Sequence, residues 1–400
     1  MAERRIGIYI HIPFCASRCD YCDFYSTCGR DELMAPYQRA LLRHIREFAP
    51  RLSDCTVDSV YFGGGTPSYY GAKYLIELFD ALKKHYRVLV DAEVTLEANP
   101  DSADPRSLKL LRREGFNRIS IGAQSSNDAI LRFIGRRHNW QQAVGAVNDA
   151  AEAGFENISL DLIYGLPAQS REDWASTLSL ALTLGCRHIS CYGLKIEEGT
   201  PMWRYRDHPD IPDDDAQADM YLYAVDALAD AGLAQYEISN FARRGFESKH
   251  NMKYWRMEEY AAFGASAASF LDGRRFSWVK SAEKYIEAVE NGEELLDEME
   301  EVSLYEQSSE YIMLGMRTAL GISPAEYEQR YLASFKPLEQ LMQSYLRLGL
   351  AKQTGDRWRF TPKGFLLSNR LIGELLDAQA ESKFHEGMPW RREDYYNTLY

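Results

Sequence analysis

The chain has 400 residues, of which 46% are hydrophobic and 26% charged, and its net charge is −13. This composition is ordinary for a soluble globular protein, and the length allows a large core with a second, smaller domain. The acidic balance argues against an extended nucleic-acid surface, because such surfaces neutralise phosphates with lysine and arginine. No apolar run approaches the roughly 18 residues of a membrane-spanning helix, so we expect no transmembrane segment.

The first residues lead directly into a strand-like run and contain no apolar signal segment. We therefore expect a cytoplasmic protein, at most in peripheral contact with a membrane. The sequence leaves open whether it is a monomer or a homodimer.

Short apolar strands alternate with amphipathic helices from Ile6 to about Ile238. The predicted strands are Gly7–His11, Ser59–Phe62, Glu93–Glu97, Arg118–Ile121, Ile158–Leu162 and His188–Tyr192. The predicted helices are Leu33–Phe48, Ala72–His85, Pro105–Glu114, Trp140–Ala153, Arg171–Leu184 and Asp214–Ala231. Six such units predict a parallel sheet with helices outside it, and a closed eight-unit barrel typically takes about 250 residues. We predict an α/β fold, an open three-quarter (βα)6 barrel, with a doubly wound sheet as the alternative.

The composition changes after Ala262, and we predict three regions. These are the partial barrel over 1–240, an extension with an acidic helical linker over 241–302, and a C-terminal domain over 303–400. Helices followed by a small hairpin at Trp358–Phe360 make the last region mostly helical and winged-helix-like. In an acidic chain we favour a packing or lid role for it over DNA binding.

Seven cysteines in a cytosolic chain do not indicate a disulfide framework. Cys15, Cys19 and Cys22 form a C-x3-C-x2-C pattern directly after the first strand, at the end of the barrel where active sites lie. Three thiolates can each hold one iron of a 4Fe-4S cubane and leave the fourth iron open. A structural zinc site needs four closed ligands, and no second cysteine pair follows nearby. The pattern therefore predicts a 4Fe-4S cluster, whose open iron S-adenosyl-L-methionine (SAM) could chelate.

With these residues the chain resembles the radical SAM superfamily and, within it, the oxygen-independent coproporphyrinogen oxidase-like family. The resemblance covers nearly the whole chain and rests on Tyr-Ile-His-Ile-Pro-Phe-Cys at 9–15, Gly-Gly-Gly-Thr-Pro at 63–67 and Thr-Pro-Lys-Gly at 361–364. It implies SAM contacts at eight matched positions: Tyr9, Gly64, Gly65, Thr66, Glu97, Gln124, Arg136 and Asp161. Their chemistry fits, since an arginine can pair with the SAM carboxylate, and acidic and amide groups can bind ribose hydroxyls.

The chain departs from the decarboxylating oxidases at Phe24, where those enzymes have a further cysteine. Because it begins only a few residues before the first predicted strand, we also expect it to lack their N-terminal extension. Both departures resemble the sister group, the HemW-type haem chaperones. His250-Asn-Met-Lys-Tyr-Trp also resembles the H-N-x-x-Y-W motif of that group. This resemblance implies a haem site formed by His250, Asn251, Tyr254 and Trp255.

Two functions remain open at this point. The first is a radical SAM haem chaperone that transfers haem to acceptor proteins of the respiratory kind, without coproporphyrinogen oxidase activity. The second is an oxygen-independent coproporphyrinogen III oxidase, or another radical SAM enzyme that modifies a tetrapyrrole. We favour the first; its partners would be haem and haem-accepting proteins, with no nucleic acid.

Overall fold

The structure, a computed structural model, describes residues 3–385. Its main feature is a sheet of twelve strands in the order β12-β11-β10-β9-β1-β2-β3-β4-β5-β6-β8-β7. The strands are β1 Arg4–Ile12, β2 Cys55–Gly64, β3 Arg87–Ala98, β4 Arg118–Gln124, β5 Asn157–Tyr164, β6 His188–Gly193, β7 Ala234–Gln235, β8 Asn240–Ala242, β9 Tyr260–Phe263, β10 Ala268–Leu271, β11 Arg274–Trp278 and β12 Leu296–Glu301. Strands β1 to β6 are parallel, so the six predicted strands are confirmed in their predicted arrangement.

Ten helices of the described residues belong to the same part of the chain, and the first seven supply the crossovers between the parallel strands. They are α1 Met34–Phe48, α2 Pro67–Tyr70, α3 Ala72–His85, α4 Pro105–Arg113, α5 Asp128–Phe133, α6 Trp140–Glu152, α7 Arg171–Thr183, α8 Asp214–Asp230, α9 Lys249–Trp255 and α10 Ala282–Asn291. Local sequence sets where several of them begin. In α6, for example, the Asn139 side chain accepts a hydrogen bond from Gln142 N, and Asn139 N donates to the Gln142 side chain. Such a capping box stabilises a helix by about 1 kcal/mol.

Alternation along the strands separates an apolar outer layer from a polar lumen. In β1 the even-numbered residues Ile6, Ile8, Ile10 and Ile12 are fully buried. The odd-numbered residues of β1 to β3 carry the functional groups and face the lumen: Gly7, Tyr9, His11, Ser59, Tyr61, Gly63, Glu93, Thr95 and Glu97. A shift of one residue in register would exchange these two layers.

Tyr61 on β2 and Glu97 on β3 are hydrogen-bonded in the lumen. Burial raises the pKa of Tyr61 well above its usual value, and the carboxylates of Glu97 and, more weakly, Asp161 on β5 raise it further. The barrel is open, as predicted, since β12 and β7 each pair on one side only among the described residues.

The region predicted as an extension contributes strands to the same sheet. Strand β9 pairs in parallel with β1, and β10, β11 and β12 follow as antiparallel strands. The acidic segment predicted to be a helical linker is helical only in α10, and Leu296–Glu301 is instead the edge strand β12. Opposite charges across β11 and β12 favour this pairing, as in the contact of 2.9 Å between Arg275 and Glu300. Charged residues are also common on exposed sheet edges, where they discourage aggregation.

The chain divides into two compact units. The first contains the sheet, and the second contains residues 236–238 and 254–257 and the chain from Val302 onward. The second unit has helices α11 Leu304–Gly315, α12 Pro324–Tyr331, α13 Lys336–Arg347, α14 Pro362–Leu366 and α15 Ser368–His385, and a hairpin of β13 Ala351–Thr354 and β14 Arg357–Phe360. This confirms the predicted, mostly helical domain with a small hairpin. In neither unit is any described helix both long and apolar enough to cross a membrane.

Gly321 provides a stability test within the second unit. Its φ is +69°, and a Cβ atom there would collide with the carbonyl oxygen of Trp358. We expect Gly321→Ala to lower the free energy of unfolding by about 2 to 4 kcal/mol, measured by urea denaturation of the full chain. The control is Gly373→Ala in α15, where no atom lies within 4 Å of the new methyl group and φ is ordinary. There we expect a gain of about 0.5 to 1 kcal/mol; equal effects of both substitutions would contradict the steric argument.

Candidate metal centre and ligand site

The three predicted cluster cysteines lie on one loop after β1. Cys15 is buried and Cys19 and Cys22 are half-buried. Cys15 also forms a short parallel bridge with Cys28, which is exposed. The position of Cys28 beside the cysteine loop was not predicted from the sequence. The β-bridge between Cys15 and Cys28 brings it there, and no sequence pattern links these two residues. The loop therefore carries three cysteines, with a fourth at its margin.

The environment of these thiols suits metal-bound sulfur better than free reactive thiolate. Burial raises the pKa of Cys15 to about 11 and raises the pKa of Cys22 as well. A buried thiol gives up its proton readily when a metal ion compensates the charge. The donor set of three thiols on a short loop fits a cubane that needs one thiolate on each of three irons.

A chain of hydrogen bonds connects two of the cysteines through residues from three other elements. Arg136 donates to Cys19 Sγ at 3.4 Å and to Asn99 Oδ1 at 2.8 Å. Asn99 Nδ2 donates to Thr66 Oγ1 at 3.1 Å, and Thr66 Oγ1 donates to Cys15 Sγ at 3.3 Å. Sequence reasoning missed Asn99, although it lies within the Thr-Leu-Glu-Ala-Asn-Pro segment that pointed to Glu97. This chain holds the cysteine loop against the ends of β2 and β3.

Arg136 is one of the cations beside the cysteine loop. Its Nη2 also donates to the carbonyl oxygen of Gly122 at 2.5 Å, which fixes the guanidinium plane. Its Nε is buried and has no hydrogen-bond partner among the described residues. An unsatisfied buried donor costs about 1 to 3 kcal/mol. The site therefore has a fixed positive group with one donor left for an anionic ligand.

The glycines at 64 and 65 allow the loops after β1 and β2 to touch. Gly64 has a φ of +115°, and a Cβ atom there would lie 2.5 Å from the ring of His11. At Gly65 a Cβ atom would lie 2.8 Å from the backbone of Pro13. Both positions thus require glycine for close packing beside Cys15. The backbone N–H of Gly64 is thereby free to donate to Glu97 Oε2, at 3.1 Å.

Glu97 lies near the end of β3 and faces the lumen. Both of its carboxylate oxygens accept a hydrogen bond. Tyr61 Oη donates to Glu97 Oε1 at 2.7 Å, while Gly64 N donates to the other oxygen. Burial raises the pKa of Glu97 to about 7; the nearby Asp161 also raises it, and the bonds from Tyr61 and Gly64 oppose the shift. Near neutral pH the group can therefore carry or release a proton in place.

Gln124 and Asp161 lie on β4 and β5. Gln124, at the end of β4, has a φ of +66°, which is costly for a residue other than glycine or asparagine. Asp161 accepts hydrogen bonds from the hydroxyls of Ser120, Ser159 and Ser190, and burial raises its pKa. Most of these bonds go to Oδ1. Among the described residues Oδ2 accepts only from Ser120, so it can accept a further hydrogen bond.

The predicted haem residues lie on α9, away from the cysteine loop. The His250 ring is fully buried and shares a hydrogen bond of 3.0 Å with Ser59 Oγ. Burial, together with the charges of Lys253 and Arg118, lowers its pKa to about 3, so the imidazole is neutral. Asn251, Tyr254 and Trp255 are half-buried. In this conformation an iron cannot reach the His250 nitrogens, so a haem role for His250 stays a prediction that requires α9 to move.

The structure therefore brings most of the predicted SAM residues together. The predicted haem residues form a separate group on α9. Tyr9 lies between the two groups, because its hydroxyl shares a hydrogen bond of 3.1 Å with His11 and its ring stacks near Tyr61 and His250.

Comparison with known proteins identifies the family of this chain. A model of the radical SAM superfamily matches residues 9–181, and a model of the HemN C-terminal domain matches residues 302–367. A protein named heme chaperone HemW from Lactococcus lactis subsp. lactis is 35% identical over 380 residues, which cover 94% of this chain and 98% of the relative. The chain belongs to the HemW family. The proteins of the same name from Bacillus subtilis and Escherichia coli are 33% and 31% identical, over 92% of this chain and 98% and 97% of their own lengths.

A solved structure gives the same answer for the fold. The coproporphyrinogen III oxidase HemN from Escherichia coli, described as a radical SAM enzyme, superposes with a TM-score of 0.83. It is 24% identical, and the match covers 93% of this chain and 90% of that one. The fold and the family predicted from the sequence are both confirmed.

Glu97 provides a pH test of the site. We expect its carboxyl in the ligand-free protein to titrate near pH 7 instead of its usual 4.5, because burial penalises the charged form. The folded-state pKa is raised, so the stability that Glu97 contributes is fully present below 4.5 and is lost as the pH rises through about 7. Difference infrared spectra between pH 5.5 and 8.5, conditions chosen to bracket about 7, should show one carboxylic C=O band that is absent in Glu97→Gln. A band that persists in that variant would assign the titration to another group.

Proposed function

We propose that this protein is a haem chaperone, which binds haem and passes it to haem-accepting proteins. The observation that carries the proposal is the identity of 30–35% over nearly the full length of proteins named heme chaperone HemW. The acceptors would be proteins that use haem in respiration. A cytoplasmic location, peripheral membrane contact at most, and a monomer or homodimer are parts of the same proposal.

In this proposal Cys15, Cys19 and Cys22 hold a 4Fe-4S cluster, and SAM binds beside it. When bound, the cluster and SAM would supply one-electron chemistry. Arg136 would pair with the SAM carboxylate through its unpartnered Nε, and Glu97 and Gln124 would accept and donate hydrogen bonds to polar groups of the ligand. Gly64, Gly65 and Thr66 form the wall next to Cys15, Tyr9 closes the inner side, and Asp161 offers Oδ2 from the far strand. The fit rests on a buried donor without a partner and on oxygens held in fixed positions.

The haem site remains the predicted motif on α9, with His250, Asn251, Tyr254 and Trp255. Neutral imidazole is a common axial ligand of haem iron, and aromatic rings can pack on the macrocycle. The proposal requires α9 to expose His250, which lies buried against Ser59 in this conformation.

Phe24 favours the chaperone over the oxidase alternative. It stands where the oxidases have a further cysteine, and its side chain is 70% exposed beside the cluster loop. A phenyl ring can neither ligate a metal nor transfer a proton. The alternative, a tetrapyrrole-modifying enzyme, is supported by the nearly complete set of SAM residues at the site.

The cluster assignment predicts a clear difference among the cysteines. After anaerobic reconstitution, Cys19→Ala should lose the visible iron–sulfur absorbance and the bound iron and sulfide, because one iron of the cubane has no ligand. Cys191→Ala is the matched control, since Cys191 is a buried thiol on β6 away from the loop. We expect it to retain the full absorbance. A Cys19→Ala protein that still holds four irons and four sulfides would show that the ligands are different ones.

The function itself is tested by two assays on one anaerobic preparation. In the first assay, which monitors the Soret band, we expect about one haem to bind per chain. In the second, we expect coproporphyrinogen to remain unconverted in the presence of SAM and a reductant. The expected inactivity follows from the missing cysteine at Phe24. Formation of protoporphyrinogen would favour the oxidase, and failure to bind haem would contradict the chaperone.

A further inference from the structure

Helix α9 fills the inner end of the barrel lumen through its first turns. The carboxylate of Glu93 on β3 accepts hydrogen bonds from Lys249 N at 3.1 Å and His250 N at 3.0 Å. Lys253, with a side chain only 3% exposed, forms an ion pair of 2.8 Å with Asp58 on β2. A Cβ atom at Gly7 on β1 would lie 3.0 Å from the His250 ring. The start of α9 is therefore fastened to three neighbouring strands of the barrel.

The His250 ring is the part of α9 that points toward the SAM residues. It stacks on the ring of Tyr61, with 5.2 Å between centroids and 29° between planes. It also stacks on Tyr9, with 6.4 Å between centroids. The hydrogen bond to Ser59 fixes the ring plane. The imidazole thus packs against two aromatic rings, those of Tyr61 and Tyr9.

Tyr61 connects the His250 ring to Glu97, one of the predicted SAM residues. Its hydroxyl donates to Glu97 Oε1 at 2.7 Å, and Glu97 accepts from Gly64 N through its other oxygen. Ser59 and Tyr61 both face the lumen from β2, as Gly7 and Tyr9 do from β1. Contacts from His250 to Glu97 are therefore continuous and pass through a single intermediate, Tyr61.

We propose that His250 is a positioning residue for the SAM site, which acts by holding Tyr61 so that Tyr61 orients Glu97. The proposal rests on the proposed SAM site and adds a residue that family resemblance assigns to haem. Removing the imidazole leaves a space behind Tyr61, because packed interiors refill such spaces only partly. The Tyr61 ring can then tilt, and Glu97 loses its fixed donor.

The test compares SAM and haem binding to the anaerobically reconstituted full chain, by calorimetry and by the Soret band. We expect His250→Ala and Tyr61→Phe each to weaken SAM binding about tenfold, the effect of losing one well-placed hydrogen bond. The double variant should be no weaker than either single one, because both changes interrupt one path. His250→Phe keeps a stacking ring but loses the hydrogen bond to Ser59, so it should weaken SAM binding by only about threefold. The iron content should not change in any of them.

His44→Ala is the matched control. His44 is also a buried neutral histidine, with its Nδ1 at 2.7 Å from Tyr285 Oη, and it contacts neither Tyr61 nor Tyr9. It should lose stability in the same way while binding SAM normally. If His250→Ala fails to fold, Tyr61→Phe and Ser59→Ala carry the test, and each should weaken SAM binding.

Three results separate the possible outcomes. Normal SAM affinity in His250→Ala, or independent and additive effects of the two single substitutions, would overturn the positioning role. Loss of haem binding with unchanged SAM affinity would also overturn it, and would assign His250 to haem alone. Absence of SAM binding in the unmodified protein would instead contradict the proposed SAM site, and with it this role.

Discussion

The hydrogen-bonded chain from Cys19 through Arg136, Asn99 and Thr66 to Cys15 is the constraint on which the site depends. Its members come from the cysteine loop, the end of β2, the end of β3 and the segment between α5 and α6. Because each link needs its neighbour at hydrogen-bond distance, the four segments can occupy only one arrangement. The carboxyl ends of parallel strands meet at one edge, which makes such a network possible.

The barrel lumen is unusually polar for a protein interior. Burying polar groups costs stability, which explains why those in the lumen are hydrogen-bonded to one another. Glu97 and Asp161 are carboxyl groups whose pKa values burial raises, so each is satisfied by hydroxyl and amide donors. A buried polar group without partners is costly, and with partners it is held in one orientation. The strained backbone at Gln124 lies in the same place. These groups together form a preorganised surface, and holding them in place lowers the stability of the fold.

The start of α9 connects two functions that the sequence assigns to separate motifs. Sequence resemblance places haem at His250, whereas the ring lies behind Tyr61 and Glu97 at the proposed SAM site. Both can hold if α9 exchanges between two positions, since exposing His250 to haem would withdraw support from Tyr61. Haem and SAM would then affect each other's binding through one helix, and the coupling would be reciprocal.

The sequence by itself determined the parallel strands and the crossover helices, because these depend on local periodicity. It also predicted the cluster cysteines, from the close spacing of Cys15, Cys19 and Cys22. It also determined the family, through motifs that lie within short segments. The role of Asn99, the position of Cys28 beside Cys15 and the strand β12 in an acidic segment were decided only by the tertiary structure. Each depends on contacts between residues distant in the chain, and local pattern carries no information on those. His250 shows the limit most clearly: its motif is readable in six residues, but its burial against Ser59 and Tyr61 arises only when α9 enters the lumen formed by strands some 190 residues earlier.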